Sequence, residues 1–201
     1  MKRIVIIGAS GHGKVVADIA IRNGYDEIVF LDDNKELISS AGIPVAGRCS
    51  DIVKYKDWDV FVAIGDAAAR KRIMDNLTDY HIVTLIHPRA VVSRSVVIGK
   101  GTVVMAGAVI NSDTKVGRGC IVNTGATVDH DGSLKDFVHV SVGAHLAGNV
   151  TVEGETWIGA GAIILNNIQI CAKCMIGAGA VIIRNIETCG TYVGIPAKRI
   201  K

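Results

Sequence analysis

Between Val92 and Ile182 an aliphatic residue occupies every sixth position of the chain without exception. An α-helix requires apolar residues at a period of 3.6, and an ordinary strand alternates at a period of 2. A strict period of six instead indicates short strands separated by regular corners. The aliphatic residues are Val92, Ile98, Val104, Ile110, Val116, Val122, Val128, Leu134, Val140, Leu146, Val152, Ile158, Ile164, Ile170, Ile176 and Ile182.

The residue two positions before each aliphatic, from Ile98 onward, is never charged and is small in eleven of fifteen cases. Three hexads form one triangular coil, and stacked coils place their aliphatic residues in an interior column. The spacing therefore predicts a parallel β-helix of hexapeptide repeats with about five coils. Because no insertion interrupts the repeat, no long loop of the β-helix can close over a ligand.

The preceding 84 residues follow a different pattern, in which strands alternate with helices. This alternation predicts a small Rossmann-like α/β domain with a parallel sheet. The expected strands are Arg3–Ile7, Glu27–Leu31, Ile43–Val45, Asp59–Ile64 and His81–Ile86, and the expected helices are Lys14–Asn23 and Ala67–Leu77.

A glycine-rich turn, Gly8–Gly13, follows the first expected strand. Ligands of open α/β sheets bind beyond the carboxyl ends of the strands, where backbone N–H groups approach phosphate. The turn departs from the dinucleotide fingerprint because Ser10 stands where that motif has glycine. His12 lies within the turn, and its imidazole could bind a phosphate oxygen. A plain tight turn is the alternative.

Asp32 and Asp33 end the second expected strand, where a carboxylate commonly accepts hydrogen bonds from a ribose or a base. Gly65 follows the strand that ends at Ile64 and would complete a crevice of three loops. A solvated loop is the alternative for this acidic pair.

His130 stands between Asp129 and Asp131 in the β-helix. A neutral imidazole is a competent general base near pH 7, and a neighbouring carboxylate can hold its tautomer. His139 is nine residues further, half a coil away, at a separation of roughly 15 Å by strand rise. If both histidines serve one site, that site lies between subunits. His145 precedes an inward leucine, which favours a structural role.

A formal net charge of +3 with scattered basic residues argues against a nucleic-acid-binding protein. No apolar stretch is long enough for membrane insertion, and five cysteines without a regular framework fit free thiols. We therefore expect a soluble, cytoplasmic protein. The C-terminal residues Pro196, Lys198 and Arg199 form either a solvated tail or a phosphate contact.

Together, the hexads, the Gly8–Gly13 turn, Leu31–Asp33, Ala63–Gly65, Leu85–His87 and the tail Gly194–Arg199 resemble the bacterial nucleotide-sugar N-acetyltransferases of the sialic acid O-acetyltransferase type. The resemblance runs from end to end. It implies an α/β domain over residues 1–84 that binds the nucleotide sugar, a left-handed β-helix over 85–190, and a tail over 191–201 that contacts coenzyme A.

The resemblance also implies a homotrimer with active sites between subunits, and direct acetyl transfer from acetyl-CoA to the 4-amino group of a UDP-linked 4-amino-4,6-dideoxy sugar, without a metal. It assigns His130 as general base and Asp131 as its acidic neighbour. The nucleotide sugar would be bound by Ser10, Gly11, His12, Asp32, Asp33 and Gly65. Acetyl-CoA would be bound by His139, Gly148, Ala160, Ala178, Pro196, Lys198 and Arg199.

Other functions remain compatible with these residues. The acceptor could be GDP-perosamine, or a sialic acid hydroxyl. A metal hydratase with the same β-helix could use His130, His139 and His145 as zinc ligands. A non-catalytic sensor would bind the sugar nucleotide but not acetyl-CoA.

Overall fold

The computed structural model describes all 201 residues, which form two compact units, Met1–Pro88 and Arg89–Lys201. The first unit is an α/β domain and the second is a parallel β-helix. The functional domain limits expected at residues 84 and 190 remain predictions.

The first unit contains a six-stranded sheet in the order β3-β4-β2-β1-β5-β6, parallel except for the β3–β4 pair. Its elements are β1 (Arg3–Ile7), α1 (Gly11–Arg22), β2 (Glu27–Leu31), β3 (Ser39–Ser40), β4 (Ile43–Gly47), a 3-10 helix (Cys49–Tyr55), β5 (Asp59–Val62), α2 (Ala67–Asp75), β6 (His81–Ile82) and β7 (Leu85–Ile86).

The central strands β1 and β5 are apolar and almost wholly buried. Helix α1 is amphipathic and buries Val16, Ile19 and Ala20. Burying each large aliphatic side chain contributes about 1.5–3 kcal/mol, so these two strands and one helix face supply the core that holds the loops at the carboxyl ends of the strands.

Several elements differ from the sequence expectation. Helix α1 begins at Gly11 rather than at Lys14 because Ser10 is the extended N-cap residue and the two glycines fit the first helical turn. The last expected strand, His81–Ile86, is divided into two short strands. Strand β3 and the 3-10 helix were not predicted, since neither has a hydrophobic period.

The second unit is built from two-residue strands, three to a coil, that stack into three parallel sheets. These strands are β8 (Val91–Val92), β9 (Val97–Ile98), β10 (Val103–Val104), β11 (Val109–Ile110), β12 (Lys115–Val116), β13 (Ile121–Val122), β14 (Thr127–Val128), β15 (Ser133–Leu134), β16 (His139–Val140), β17 (His145–Leu146), β18 (Thr151–Val152), β19 (Trp157–Ile158), β20 (Ile163–Ile164), β21 (Gln169–Ile170), β22 (Met175–Ile176) and β23 (Val181–Ile182).

The second residue of each strand is the aliphatic residue of the hexad, and from Val104 onward all of them are buried. Val92 and Ile98 are only partly covered, because they belong to the first coil and have a β-helix neighbour on one side only. The inward threonines are satisfied: Thr102 Oγ1 donates to Gly117 O at 2.8 Å and accepts from the Cys120 amide. The interior column expected from the spacing is therefore present.

The C-terminal residues form an antiparallel hairpin of β24 (Thr191–Gly194) and β25 (Ala197–Arg199), joined by a turn that contains a cis Ile195–Pro196 bond. Strand β24 pairs in parallel with β22, so the hairpin continues one sheet of the β-helix. No helix in the protein is both long and apolar enough to cross a membrane.

Candidate active site

His130 lies at the corner that follows β14, and its side chain is exposed. Corners that are 18 residues apart lie directly above one another in the β-helix. The amide of Asn149 donates to His130 O at 2.9 Å, and that of Asn167 donates to Gly148 O at 3.0 Å. His130 and Gly148 are therefore consecutive members of one corner column.

Asp131 is the direct partner of the His130 imidazole. Its Oδ2 lies 2.8 Å from Nδ1 of His130, and Asp131 adopts a left-handed φ of 59°. This hydrogen bond, followed by the charge of Asp129, raises the pKa of His130 above its usual value. With Nδ1 donating to Asp131, Nε2 carries the lone pair, which is the arrangement required of a general base.

Asp129 contacts His130 through the backbone. Its Oδ1 accepts a hydrogen bond from the His130 amide at 2.9 Å. His130 therefore has two carboxylate partners, one bound to its ring and one to its backbone amide. The sequence expectation grouped His130 with Asp131 and assigned no role to Asp129.

Gly148 leaves the space that the His130 ring occupies. A methyl group at position 148 would lie 2.7 Å from both Cε1 and Nε2 of His130, which is closer than atoms can approach. Gly148 was expected to contact acetyl-CoA. Its position against Nε2 brings it together with His130 and Asp131.

His139 lies on a different sheet, at the first position of β16. Its ring stacks on Trp157 with centroids 5.3 Å apart, and its Nε2 lies 3.2 Å from Asn123 Nδ2. His145 also points outward, with Nδ1 2.9 Å from Thr127 Oγ1. Trp157, which stacks on His139, and Asn123, which contacts its Nε2, were not identified from sequence. Trp157 is one 18-residue coil beyond His139.

The remaining residues expected to bind acetyl-CoA lie at successive corners of the β-helix and in the C-terminal hairpin. Ala160 and Ala178 are exposed corner residues one coil apart, linked by the bond from the Gly179 amide to Ala160 O. Pro196, Lys198 and Arg199 are exposed in the C-terminal hairpin. The tail is therefore an ordered hairpin, and the contact of its three exposed residues with coenzyme A remains a prediction.

A groove of about 370 Å³ runs along the outer face of the sheet formed by β8, β11, β14, β17, β20 and β23. Its walls are mainly aliphatic, and its polar groups come from Asn111, Thr127, Asp129 and His145, of which Asp129 directly precedes His130. The lining residues are Val109, Asn111, Thr127, Asp129, His145, Leu146, Ala147, Ile163, Ile164 and Leu165.

The first unit carries a separate candidate site at the start of α1. In a helix the first N–H groups have no intrahelical partner, and the first backbone bond of α1 is donated by Lys14 to Ser10 O. The amides of Gly11 and His12 thus begin the helix beside the exposed Ser10. This geometry favours an anion such as a phosphate.

His12 has an unusual environment within this first turn. Its Nε2 is buried and has no hydrogen-bond partner. Burial, followed by the positive charge of Arg70, lowers the pKa of His12 to about 4. The imidazole is therefore neutral at pH 7, with one ring nitrogen left for a ligand.

Arg70 was not identified from sequence, yet it is almost fully buried, at 1% exposure. Its guanidinium donates to the carbonyl oxygens of Ile64 and Gly65 at 2.7 and 2.8 Å. It thereby fixes the loop that contains Gly65 and places a positive charge near His12. A buried arginine on an ordinary amphipathic helix leaves no signal in sequence that would distinguish it from a surface arginine.

Asp32 and Asp33 bind backbone amides of their own domain. Asp32 accepts from Ala9 at 2.8 Å and from Asn34 at 2.9 Å, and Asp33 accepts from Cys49 at 3.0 Å. Asp32 therefore anchors the glycine-rich turn to the end of β2. The contact of these carboxylates with a nucleoside remains a prediction.

Metal ligation is not favoured by the arrangement of side chains. No three His, Cys, Asp or Glu side chains lie close enough together to hold a metal ion. The three histidines that a hydratase would use, His130, His139 and His145, are distributed over a corner and two different sheets.

Comparison with known proteins gives two family matches. Residues 3–77 match the PglD N-terminal domain, and residues 95–130 match the bacterial transferase hexapeptide (six repeats). These segments contain the glycine-rich turn of the first unit and the His130 corner of the second.

Several solved structures match along the whole chain. The acetyltransferase domain of PglB from Neisseria gonorrhoeae is 43% identical, with a TM-score of 0.96 and coverage of 100% of both chains. PerB from Caulobacter crescentus, solved with CoA and GDP-perosamine, is 35% identical, with a TM-score of 0.94 and coverage of 100% of this chain and 98% of that one. The fold is that of the left-handed β-helix acetyltransferases.

Curated relatives match over shorter segments. UDP-N-acetylbacillosamine N-acetyltransferase from Bacillus subtilis is 37% identical over 115 residues, which are 53% of this chain and 52% of that protein. An uncharacterized mimivirus protein, L142, is 37% identical over 101 residues. The matches span 21% of the viral protein and about half of the bacterial one.

Proposed function

The chain belongs to the hexapeptide-repeat acyltransferases with a PglD-type N-terminal domain, and from this premise we propose that it transfers the acetyl group of acetyl-CoA to the 4-amino group of a UDP-linked 4-amino-4,6-dideoxy sugar. The observation that carries the proposal is the His130–Asp131 pair, with Nδ1 2.8 Å from Oδ2 and Nε2 directed toward Gly148.

In the proposed reaction, Nε2 of His130 removes a proton from the sugar amine as its nitrogen attacks the thioester carbonyl. Asp131 stabilises the imidazolium that forms, and the proton later reaches the departing thiolate. The transfer is direct, so no acyl-enzyme forms. Acetyl-CoA supplies the activated acetyl group, and His139, Gly148, Ala160, Ala178, Pro196, Lys198 and Arg199 are the residues proposed to bind it.

The first unit is proposed to bind the nucleotide diphosphate. The amides of Gly11 and His12 and the hydroxyl of Ser10 would contact phosphate, and the unpartnered Nε2 of His12 would complete the set. Asp32, Asp33 and Gly65 would lie around the nucleoside. The buried charge of Arg70 supports an anionic ligand at this end of α1.

A homotrimer with the active site between subunits is part of the proposal. The outer face of the sheet that contains the groove exposes three large aliphatic side chains. Ile163 is 41% exposed, Leu165 is 42% exposed and Ile183 is 44% exposed. Aliphatic side chains at neighbouring positions of one sheet face favour burial against another subunit. Light scattering during size-exclusion chromatography tests this assembly, and a monomer at micromolar concentration would contradict it.

The test of the activity is acetyl-CoA turnover with a UDP-4-amino-4,6-dideoxy sugar, measured for the parent and for His130→Ala at saturating substrate. We expect loss of at least about 100-fold in kcat, the usual contribution of a general base. Near-normal turnover of the variant would exclude His130 as the base.

GDP-perosamine is the second candidate acceptor, supported by the full-length similarity to PerB. Thermal shifts with UDP, GDP and CMP separate the two, because a ligand at 100 times its Kd stabilises by about 2.7 kcal/mol. The same panel with a sialic acid tests O-acetylation. Titration with coenzyme A separates an acetyltransferase from a sensor, which would not bind it.

A further inference from the structure

The second carboxylate beside His130 has a partner in the preceding coil. Asn111 lies 18 residues before Asp129, at the equivalent corner position, and its Nδ2 donates to Oδ1 of Asp129 at 2.8 Å. The same oxygen accepts from the His130 amide at 2.9 Å. One carboxylate oxygen therefore connects the side chain of Asn111 to the backbone of His130.

The backbone of Asp129 is held independently of Asn111. Its amide donates to Leu146 O at 3.0 Å, and its carbonyl accepts from Thr114 Oγ1 at 2.8 Å. Loss of the Asn111 amide would leave this backbone in place and release only the side chain of Asp129. The role of Asn111 can thus be separated from the folding of the corner.

The charge of Asp129 also depends on this contact. Hydrogen bonding by Asn111, followed by that of the His130 amide, lowers the pKa of Asp129, and the resulting carboxylate contributes to the raised pKa of His130. Asp131 contacts Nδ1 of the imidazole directly and also raises the pKa of His130. No cation is paired with Asp129, so Asn111 is the side chain that orients its charge.

We propose that Asn111 is a positioning residue for acetyl transfer, which acts through Asp129 to fix the backbone and the electrostatic surroundings of His130. This inference rests on the proposed function of His130. Asn111 makes no direct contact with the imidazole, and its only side-chain partner within the chain is Asp129. A direct contact of Asn111 with the acceptor sugar is the competing explanation, because Asn111 also lines the groove.

The two explanations predict different kinetics for Asn111→Ala. A positioning role lowers kcat by about 5–10-fold, the equivalent of about 1–1.4 kcal/mol, because Asn111 acts only indirectly on the reacting group, and it leaves both KM values within about twofold. It also moves the acid limb of the pH profile of kcat/KM to lower pH, since the displaced carboxylate no longer raises the pKa of His130. A substrate contact raises the acceptor KM and leaves the acid limb unchanged.

A double-mutant cycle makes the test specific to Asp129. If Asn111 acts through Asp129, the double variant Asn111→Ala/Asp129→Ala has the same kcat as Asp129→Ala alone. Multiplied losses would overturn the proposal. Ser112→Ala is the matched control, because it removes a hydrogen bond to Ser93 at the same corner without touching Asp129.

The two proposals can fail separately. Near-normal turnover of His130→Ala would remove the proposed base itself. If His130→Ala is inactive while Asn111→Ala matches Ser112→Ala in kcat and in pH profile, the proposed function stands and the positioning role of Asn111 is wrong. Equal circular dichroism spectra and melting temperatures for Asn111→Ala and Ser112→Ala confirm that the comparison is made between folded proteins.

Discussion

The ring of His130 occupies the space beside Gly148 in the next coil, where a methyl group at position 148 would lie 2.7 Å from both Cε1 and Nε2 of the ring. The imidazole is exposed to solvent, so this contact rather than burial in a pocket limits its position. A residue with any side chain at 148 would force the ring to turn away from Asp131 or would shift the backbone of the corner.

We therefore predict that Gly148→Ala lowers kcat by about 100-fold, since displacement of a reacting group by about 1 Å has a cost of that order. Steady-state kinetics at saturating substrates measure the effect. Gly154→Ala is the control, because a methyl group there meets only the Asp136 carbonyl oxygen, at 3.2 Å. Equal activity of the two variants would show that the ring of His130 can move without consequence.

Asp131→Asn tests the hydrogen bond that most raises the pKa of His130. The proposed base accepts a proton only as the neutral imidazole, so under this proposal activity rises as pH increases through the pKa of His130. Removing the carboxylate lowers that pKa, and the acid limb of kcat/KM should move to lower pH. The plateau should also fall, by about 10-fold or more, because a weaker and less well-oriented base removes the proton more slowly.

The matched control for this variant is Asp113→Asn. Asp113 occupies the equivalent corner one coil earlier and has a similar left-handed φ, 62° against 59° for Asp131. Asparagine tolerates this conformation as well as aspartate does. An acid limb that shifts equally in both variants would indicate a general charge effect and not a specific bond to His130.

The sequence predicted the β-helix more completely than it predicted either site. A hexad is a local pattern, and each aliphatic position faces the interior whatever lies around it, so Val104 and Ile182 could be placed from spacing alone. The same spacing predicts that Asn111 lies beside Asp129 and that His139 lies beside Trp157, because each pair is separated by 18 residues, one full coil. Spacing alone does not show which of these neighbours form hydrogen bonds or stack.

The sequence of the first unit contains no repeat from which spatial neighbours could be inferred. The burial of Arg70 and its bonds to two carbonyl groups depend on how α2 packs, and no periodicity encodes that packing. Helix α1 begins three residues before the expected helix, and Gly13 in its first turn is required by the fold: a methyl group there would lie 2.1 Å from the Gly8 carbonyl oxygen. Close packing of the turn against the helix therefore explains Gly13, and no periodicity encodes this contact.

His12 gives a prediction about stability. Its pKa is lowered from an unfolded value of about 6.5 to about 4 in the folded protein. The unfolded chain thus binds a proton below pH 6.5 that the folded protein does not bind. Between pH 6.5 and 4, His12 should reduce the free energy of unfolding by about 1.4 kcal/mol for each pH unit, and it has no such effect above pH 7.

His12→Gln should remove this contribution, so the variant loses less stability than the parent when the pH falls from 7.5 to 5. Urea unfolding at both values measures the difference. His145→Gln serves as the control, because His145 is an exposed histidine of the β-helix. A parent protein and a His12→Gln variant with the same pH dependence would contradict the burial of a neutral imidazole at position 12.

Arg70→Leu tests the buried guanidinium that supports the candidate nucleotide site. The substitution leaves the carbonyl oxygens of Ile64 and Gly65 without this donor. Ile64 is half-buried and Gly65 is exposed, so water can partly replace the lost donor. A hydrogen bond to a charged group contributes about 1.5–3 kcal/mol, and we expect the free energy of unfolding to fall by an amount of this order. Arg72→Leu is the matched control, since Arg72 lies on the same helix with an exposed side chain.

The same variant has a second, independent readout in the titration of His12. The positive charge of Arg70 is the smaller of the two causes that lower the pKa of His12, and burial is the larger. Arg70→Leu should therefore raise this pKa without restoring the ordinary value, which NMR of the ring protons can follow. If the pKa of His12 is unchanged while stability falls, Arg70 supports the loop at Gly65 but does not affect the electrostatic potential at the N-terminal end of α1.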